Sequence, residues 1–228
     1  MHRRALPIVA GLLLSPVAGF GVFGTAPKRS QQRGHRVSPD FLEDLPQSWA
    51  KEAKLAQLAG RVPTAHGDLR VATFACGCYW GPELAFQRTP GVVATCVGHT
   101  GYESGGANEA VQMLYDPTEV PYAALCDVFW DRINPTLKNQ VGLDRGAIYR
   151  HVIYVHTAEQ ESVAQAALAS RREALAPATV HTQVELAELF FVADPRHQRY
   201  LERGMKGTPQ SAVKGCTDPI RCYGGVLS

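Results

Sequence analysis

Cys76-Gly77-Cys78-Tyr79-Trp80-Gly81-Pro82-Glu83 is the stretch of this 228-residue chain whose residue types could do covalent chemistry. The run LRVATFA (Leu69–Ala75) reads as a strand leading into it, and Pro82 suits the first turn of a helix leading out. A cysteine at that junction lies near the positive pole of the helix, which favours thiolate over thiol. Gly77 and Gly81 bracket Cys78 and let the backbone come close to a substrate. Tyr79 and Trp80 set two aromatic faces beside the sulfur, a seat for a methyl or thioether group. The same octapeptide is equally compatible with a core turn around a buried cysteine, and these residues alone leave both readings open.

The chain has six cysteines: Cys76, Cys78, Cys96, Cys126, Cys216 and Cys222. Cys96 (VVATCVG) and Cys126 (AALCDVFW) sit in apolar runs and read as buried small hydrophobes. Cys76-x-Cys78 and Cys216-x5-Cys222 both miss the C-x2–4-C spacing of structural zinc, so no metal site is expected. A disulfide framework fits poorly too, because a chain of this length buries a core without staples. His66, His151, His156 and His181 have no cysteine or carboxylate at ligand spacing. Phosphate-binding loops, dinucleotide fingerprints and G-x-S-x-G elbows are absent from the sequence.

The elements that position this stretch follow from periodicity. After the helix PELAFQR, stopped by Pro90-Gly91, VVATCVG (Val92–Gly98) and AVQMLYD (Ala110–Asp116) read as strands joined by a Gly-rich loop. Pro121 opens a helix ending before Asn134-Pro135, and AIYRHVIYVH (Ala147–His156) alternates as a strand. Thr157 and Gln160 form a capping box ahead of an Ala-rich helix reaching about Leu175. A strand at TVHTQVELAE and a short helix at Arg196–Arg203 complete the pattern. The expected fold is α+β: a two-layer sandwich with a mixed or antiparallel sheet, a ferredoxin-like core and a Gly-rich C-terminal tail.

Charge and composition divide the chain. The 23 Lys and Arg against 21 Asp and Glu give a formal charge of +2. No acid occurs before Asp40, whereas Arg3, Arg4, Lys28, Arg29, Arg33 and Arg36 do, so 17 basic residues face 21 acidic ones from Asp40 onward. A net acidic folded part is poorly suited to a phosphate backbone, and no nucleic acid partner is expected. The apolar run Leu6–Pro27 behind His2-Arg3-Arg4, broken by Pro16 and Gly19, has the character of a signal segment. The acid-free KRSQQRGHRVS after it has that of a transit peptide. Such a bipartite leader resembles presequences of complex plastids, which favours a plastid over the mitochondrion, secretory pathway or cytoplasm. The expected organisation is a targeting presequence at 1–38, a linker or short helix at 39–60, a catalytic domain at 61–203 and a mobile tail at 204–228. No stable membrane association of the mature chain is expected, and a monomer is, since the pattern shows no unpaired apolar face.

Four collinear motifs resemble the peptide methionine sulfoxide reductase A family. Gly77-Cys78-Tyr79-Trp80-Gly81 matches its G-C-F-W-G, with Tyr for Phe. Glu109-Ala110-Val111 with Tyr115-Asp116-Pro117 matches E-A-V and Y-D-P; Gln140, Asp144, Gly146, Tyr149 and Arg150 match Q-x-x-D-x-G-x-x-Y-R. His197-Gln198-Arg199-Tyr200-Leu201 matches H-Q-x-Y-L, and the likeness runs from about Arg70 to Leu201. The resemblance implies reduction of the S-epimer of methionine sulfoxide in proteins, and of the free amino acid as an open extension. It casts Cys78 as nucleophile, Glu109 as proton donor, Tyr149 as hydroxyl donor to the same oxygen, Tyr79 and Trp80 as the methyl seat, and Asp144 as a residue ordering the pocket. Cys216 and Cys222 are cast as resolving cysteines, with Cys76 ranked last. No bound cofactor is implied; thioredoxin is the external reductant and oxidised proteins are the substrates.

Departures from the family are local. The loop between Gly98 and Glu109 is shorter than usual and loses a second oxygen-facing tyrosine, for which Tyr102 is the candidate substitute. His99 stands where tyrosine is common, and Ala107-Asn108 replaces the usual His-Ala. The alternative that this loop motivates is a paralogue that binds a sulfoxide or thioether with little turnover.

Overall fold

The computed structural model describes residues 48–205, 207–222 and 225–226. The leader expected at 1–38, and the first part of the segment 39–60, lie outside the described residues.

In chain order the elements are α1 (Ser48–Leu58), β1 (Ala65–His66), β2 (Leu69–Cys76), α2 (Trp80–Arg88), β3 (Val92–Thr100), β4 (Asn108–Tyr115) and α3 (Tyr122–Trp130). There follow β5 (Gln140–Val141), β6 (Asp144–Arg145), a 3-10 turn (Ala147–Tyr149), β7 (His151–Val155) and α4 (Ala158–Ala174). The chain closes with β8 (Gln183–Leu186), β9 (Phe191–Val192), a 3-10 turn (Pro195–His197), β10 (Arg221–Cys222) and β11 (Gly225–Val226). Seven strands form the main sheet in the order β8-β7-β2-β4-β3-β9, with β1 added to β2. β7 and β8 pair in parallel and every other pair in this sheet is antiparallel.

The central four strands follow β-α-β-β-α-β order, with β4 inserted between β2 and β3, which is the ferredoxin-like split βαβ arrangement. Because β2 and β3 are each antiparallel to β4, they run parallel to each other on either side of it. The helix connecting them must therefore cross over one face, and its start is forced to the end of β2.

Strand alternation divides the core in two. Phe74, Val97, Val111, Met113 and Ile153 point to one face and meet Phe86 of α2, Leu125 and Phe129 of α3, and Ala164 and Leu168 of α4. Phe74 lies at the centre of this layer, stacked on Phe86 with centroids 5.2 Å apart and close to Tyr122 and Phe129. The residues alternate with these, Val71, Ala75, Cys96, Leu114 and Tyr154, face α1, where Trp49, Ala50 and Ala53 cover them. Fully burying one such large side chain stabilises the fold by roughly 1.5–3 kcal/mol. Cys96 and Cys126 are buried within these layers, at 0% and 1% exposure.

Local signals fix the element ends. Thr157 caps α4, its side chain accepting from the Gln160 N–H at 3.2 Å, while the Gln160 side chain accepts from the His156 N–H. Two readings from periodicity shift. The alternation of Ala147–His156 is a strand only from His151; Ala147–Tyr149 is a 3-10 turn, because Gly146, at φ 131°, breaks the extended backbone. Arg196–Arg203 is a short 3-10 turn followed by turns, with Arg199 at φ 52°.

The Gly-rich C-terminal segment runs along α2. Lys214 Nζ donates to the carbonyls of Gln87 (2.7 Å), Thr89 (3.1 Å) and Val92, and Arg88 donates to those of Ser211 and Asp218. Lys214 thereby serves the unpaired carbonyls at the C-terminal end of α2. Among the described residues no helix is long and apolar enough to cross a membrane.

Candidate active site

Cys78 sits one residue before the N-cap of α2, at the corner where β2 leaves the sheet, and is 6% exposed. Gly77 makes that corner possible. Its φ of +80° belongs to the left-handed region, and a Cβ there would stand 2.6 Å from Val141 Cβ. Val141 belongs to the β5–β6 hairpin and pairs with Asp144, so the absence of a side chain at Gly77 lets the hairpin lie on the corner.

Residues from the start of α2, β4, β6 and the 3-10 turn are then brought together beside Cys78. Glu109 is the second residue of β4, and its Oε2 accepts from the Tyr79 N–H at 3.2 Å. That N–H belongs to the N-terminal end of α2, where an anion is favoured. Burial pushes the Glu109 carboxyl up to about 7, against the lowering effect of the Tyr79 N–H and with a further push from Asp144. Tyr149, in the 3-10 turn, is raised by burial and then by the neighbouring Glu109, Asp144 and Cys78. Tyr79 is raised by burial first, then by Glu109, Cys78, Glu83 and Tyr149. Cys78, Tyr79, Glu109, Asp144 and Tyr149 therefore form one electrostatic neighbourhood, in which burial favours the protonated form of the Glu109 carboxyl.

Aromatic rings wall this neighbourhood. Trp80 stacks on Tyr200 with centroids 3.9 Å apart and planes 9° apart, and on His197 at 5.9 Å and 16°. Tyr79 meets His99 edge-on at 5.8 Å. Glu83, one helical turn beyond Trp80, is 1% exposed and holds the segment that carries His197 and Tyr200. Its Oε2 accepts from the Arg199 N–H at 2.8 Å and its Oε1 from the Thr95 hydroxyl at 3.1 Å. Burial raises the Glu83 carboxyl to about 8, opposed by those two hydrogen bonds. Its partners are a backbone amide and a hydroxyl, so it anchors the wall rather than facing the sulfur.

The other singled-out residues separate. Tyr102 is 42% exposed and packs edge-on against Phe191 at 4.8 Å, so the ring that meets Tyr79 is His99. Cys222, 4% exposed, shares a buried cluster with Cys78, Leu84, Tyr200, Leu201 and Ile220. A cavity of about 470 Å³ beside it is lined by Trp80, Tyr200 and Met205. Cys216, half-buried, lies instead at the far end of α2, where the Gly215 N–H donates to the Arg88 carbonyl at 2.8 Å. Cys76 points into the sheet core at 1% exposure, and burial raises its thiol far up. His99, His197 and Tyr200 join the site without being singled out by residue type. The one cue was position: His99 in the place of a common tyrosine, and the other two within H-Q-x-Y-L. Among the described residues no cluster of three or more His, Cys, Asp or Glu could hold a metal ion.

Residues 70–220 match the family model described as peptide methionine sulfoxide reductase. Over 166 residues the chain is 45% identical to a peptide methionine sulfoxide reductase of Brassica napus, covering 67% of this chain and 64% of that protein. It is also 45% identical over 166 residues to peptide methionine sulfoxide reductase A4, chloroplastic, of Arabidopsis thaliana, with the same coverage of 67% and 64%. The chain thus spans just under two thirds of the length of these two relatives. Among solved structures, methionine sulfoxide reductase A of Corynebacterium diphtheriae is similar at 27% identity and a TM-score of 0.58, covering 70% of this chain and 86% of that one.

Gly77→Ala tests the corner. The left-handed backbone and the contact with Val141 together are expected to cost about 2–4 kcal/mol in stability. A urea midpoint equal to that of the parent protein would refute this account of the corner.

Proposed function

The chain belongs to the peptide methionine sulfoxide reductase A family, and on that premise we propose that it reduces the S-epimer of methionine sulfoxide in oxidised proteins with Cys78 as nucleophile. The observation that carries the reading is the raised carboxyl of Glu109 held beside Cys78 by the Tyr79 N–H.

The chemistry balances as follows. Cys78, as thiolate, attacks the sulfoxide sulfur, and the oxygen gains negative charge as its bond to that sulfur weakens. Glu109 gives the oxygen a proton, and the Tyr149 hydroxyl donates a hydrogen bond to it. The protonated oxygen then passes to the Cys78 sulfur as the new bond between the two sulfurs breaks, its electron pair staying on the substrate sulfur; Cys78 is left as sulfenic acid, oxidised by two electrons, and the sulfoxide, reduced by two, leaves as methionine. The ring wall of Tyr79 and Trp80, backed by Tyr200 and His197, receives the S-methyl group. Asp144 orders the pocket through the hairpin on Gly77 and keeps the Glu109 proton in place by its own charge.

A second thiol then attacks the sulfenic acid, forming a disulfide and water. The shared buried cluster supports Cys222 as the first resolving thiol. Cys216, being half-buried, is suited to pass the disulfide on to an external dithiol, for which thioredoxin is the proposed reductant. The chloroplastic relative supports a plastid destination, with residues 1–38 as the leader.

Four measurements test this reading. In single turnover with a methionine-sulfoxide peptide, Cys78→Ser abolishes reaction and Glu109→Gln slows it by about 10²–10⁴-fold. The wild-type rate falls as pH rises through about 7, because the deprotonated carboxyl has no proton to give; Glu109→Gln lacks that limb. Normal speed in the Gln variant removes Glu109 from the role. Without external reductant, Cys222→Ser accumulates sulfenic acid at Cys78, whereas Cys216→Ser still forms the Cys78–Cys222 disulfide on peptide mapping. The reverse result exchanges the two thiols. A fluorescent reporter fused behind residues 1–60 enters plastids; a reporter confined to the cytosol or mitochondria refutes the destination.

A further inference from the structure

Asn108, the residue directly before Glu109 on β4, is 0% exposed. Its neighbour Glu109 pairs with His99, while Asn108 pairs with Thr100, so strand alternation sends the two side chains to opposite faces of β4. On its own face Asn108 makes three hydrogen bonds. Nδ2 donates to the Ala147 carbonyl at 2.8 Å, and Oδ1 accepts from the Tyr154 hydroxyl at 2.6 Å and from Arg150 Nη2 at 2.8 Å. Ala147 is the first residue of the 3-10 turn whose last residue is Tyr149. Arg150, which follows Tyr149, is held in turn by Glu185 and Gln183 of β8, each at 2.9 Å.

The loop between β3 and β4 is built around this network. Gly101, at φ +83°, passes so close that a Cβ there would stand 2.1 Å from the Tyr154 hydroxyl and 2.8 Å from Asn108 Oδ1. The Ser104 hydroxyl donates to Glu185 Oε2 at 2.6 Å, and the Glu103 N–H to Glu188 Oε2 at 2.8 Å. The turn of Ala147–Tyr149 is short and has no buried residue of its own, so packing alone fixes it weakly. Asn108 joins it directly to the end of the strand that bears Glu109.

We propose that Asn108 is a positioning residue that sets the Tyr149 hydroxyl relative to the Glu109 carboxyl, through its hydrogen bond to the Ala147 carbonyl. The proposal rests on the reading of Glu109 and Tyr149 as the donors to the sulfoxide oxygen. In this chain a buried amide bridge ties the turn that carries Tyr149 to the strand that carries Glu109.

Asn108→Asp is the informative substitution. It keeps an oxygen for Tyr154 and Arg150, but turns an acceptor toward the Ala147 carbonyl and so drives the 3-10 turn away. The variant is expected to keep a cooperative urea transition and to lose about 10–100-fold in the rate of Cys78 sulfenic acid formation. Adding Tyr149→Phe to it is expected to bring little further loss, whereas the same change in the wild type slows the step clearly. Asn108→Ser, which cannot reach Ala147 and adds no charge, should give the same non-additivity and covers the case in which the aspartate variant does not fold. A wild-type rate in either folded variant, or full additivity with Tyr149→Phe, overturns the positioning role and leaves the reading of the site intact. Absence of both methionine release and Cys78 sulfenic acid in single turnover of a Cys222→Ser background that keeps Asn108 overturns both.

Discussion

The hydrogen bond from the Tyr79 N–H to Glu109 Oε2 joins the start of α2 to the start of β4, and the remainder of the site is arranged about it. A carboxyl placed there feels two opposed influences. Burial and the Asp144 charge favour its protonated form, while the amide and the helix terminus favour its anion. The balance near 7 leaves a group that can surrender a proton without being permanently neutral. This requires the split βαβ connection, because a crossing that starts at the end of β2 brings the first amides of α2 to the start of the antiparallel β4 beside it.

A second constraint acts on the rings. Trp80 is held on one side by Tyr200 and His197, which come from a segment more than a hundred residues further along the chain. That segment turns through Arg199 in a left-handed conformation unfavourable for a side-chain-bearing residue. The Glu83 carboxyl accepts the Arg199 N–H at this point, so the wall depends on an acid buried beneath it. Gln198 adds to the hold: its side chain accepts from the Val97 N–H and donates to the Val97 and Ala193 carbonyls. Buried polar groups with complete partners specify one arrangement of a segment that has no apolar periodicity to guide it.

The C-terminal segment shows how two thiols six positions apart acquire different surroundings. Lys214 and Arg88 fasten it to the far end of α2, which leaves Cys216 there, and the chain then returns to place Cys222 in the cluster that contains Cys78. The difference comes from anchoring by carbonyl hydrogen bonds, since the two cysteines have similar Gly-containing surroundings in sequence.

The sequence alone determined the strand–Cys78–helix corner, the capped α4 and the alternation of the central strands, because each is a matter of local backbone preference and short-range periodicity. The collinear motifs also marked Cys78, Glu109, Asp144 and Tyr149 as one set. Only the tertiary structure decided which rings surround the sulfur. His99 over Tyr102 at Tyr79, and His197 with Tyr200 at Trp80, depend on sheet order and on the Glu83 anchor, neither of which has a local signature. It also decided that Ala147–Tyr149 is a turn rather than strand, since Gly146 and the Asn108 bridge outweigh an alternating pattern, and that Cys222 rather than Cys216 lies in the Cys78 cluster. Contacts between residues distant in the chain are settled by which faces the strands and helices bury together, and a one-dimensional pattern holds that information only where both partners are themselves periodic.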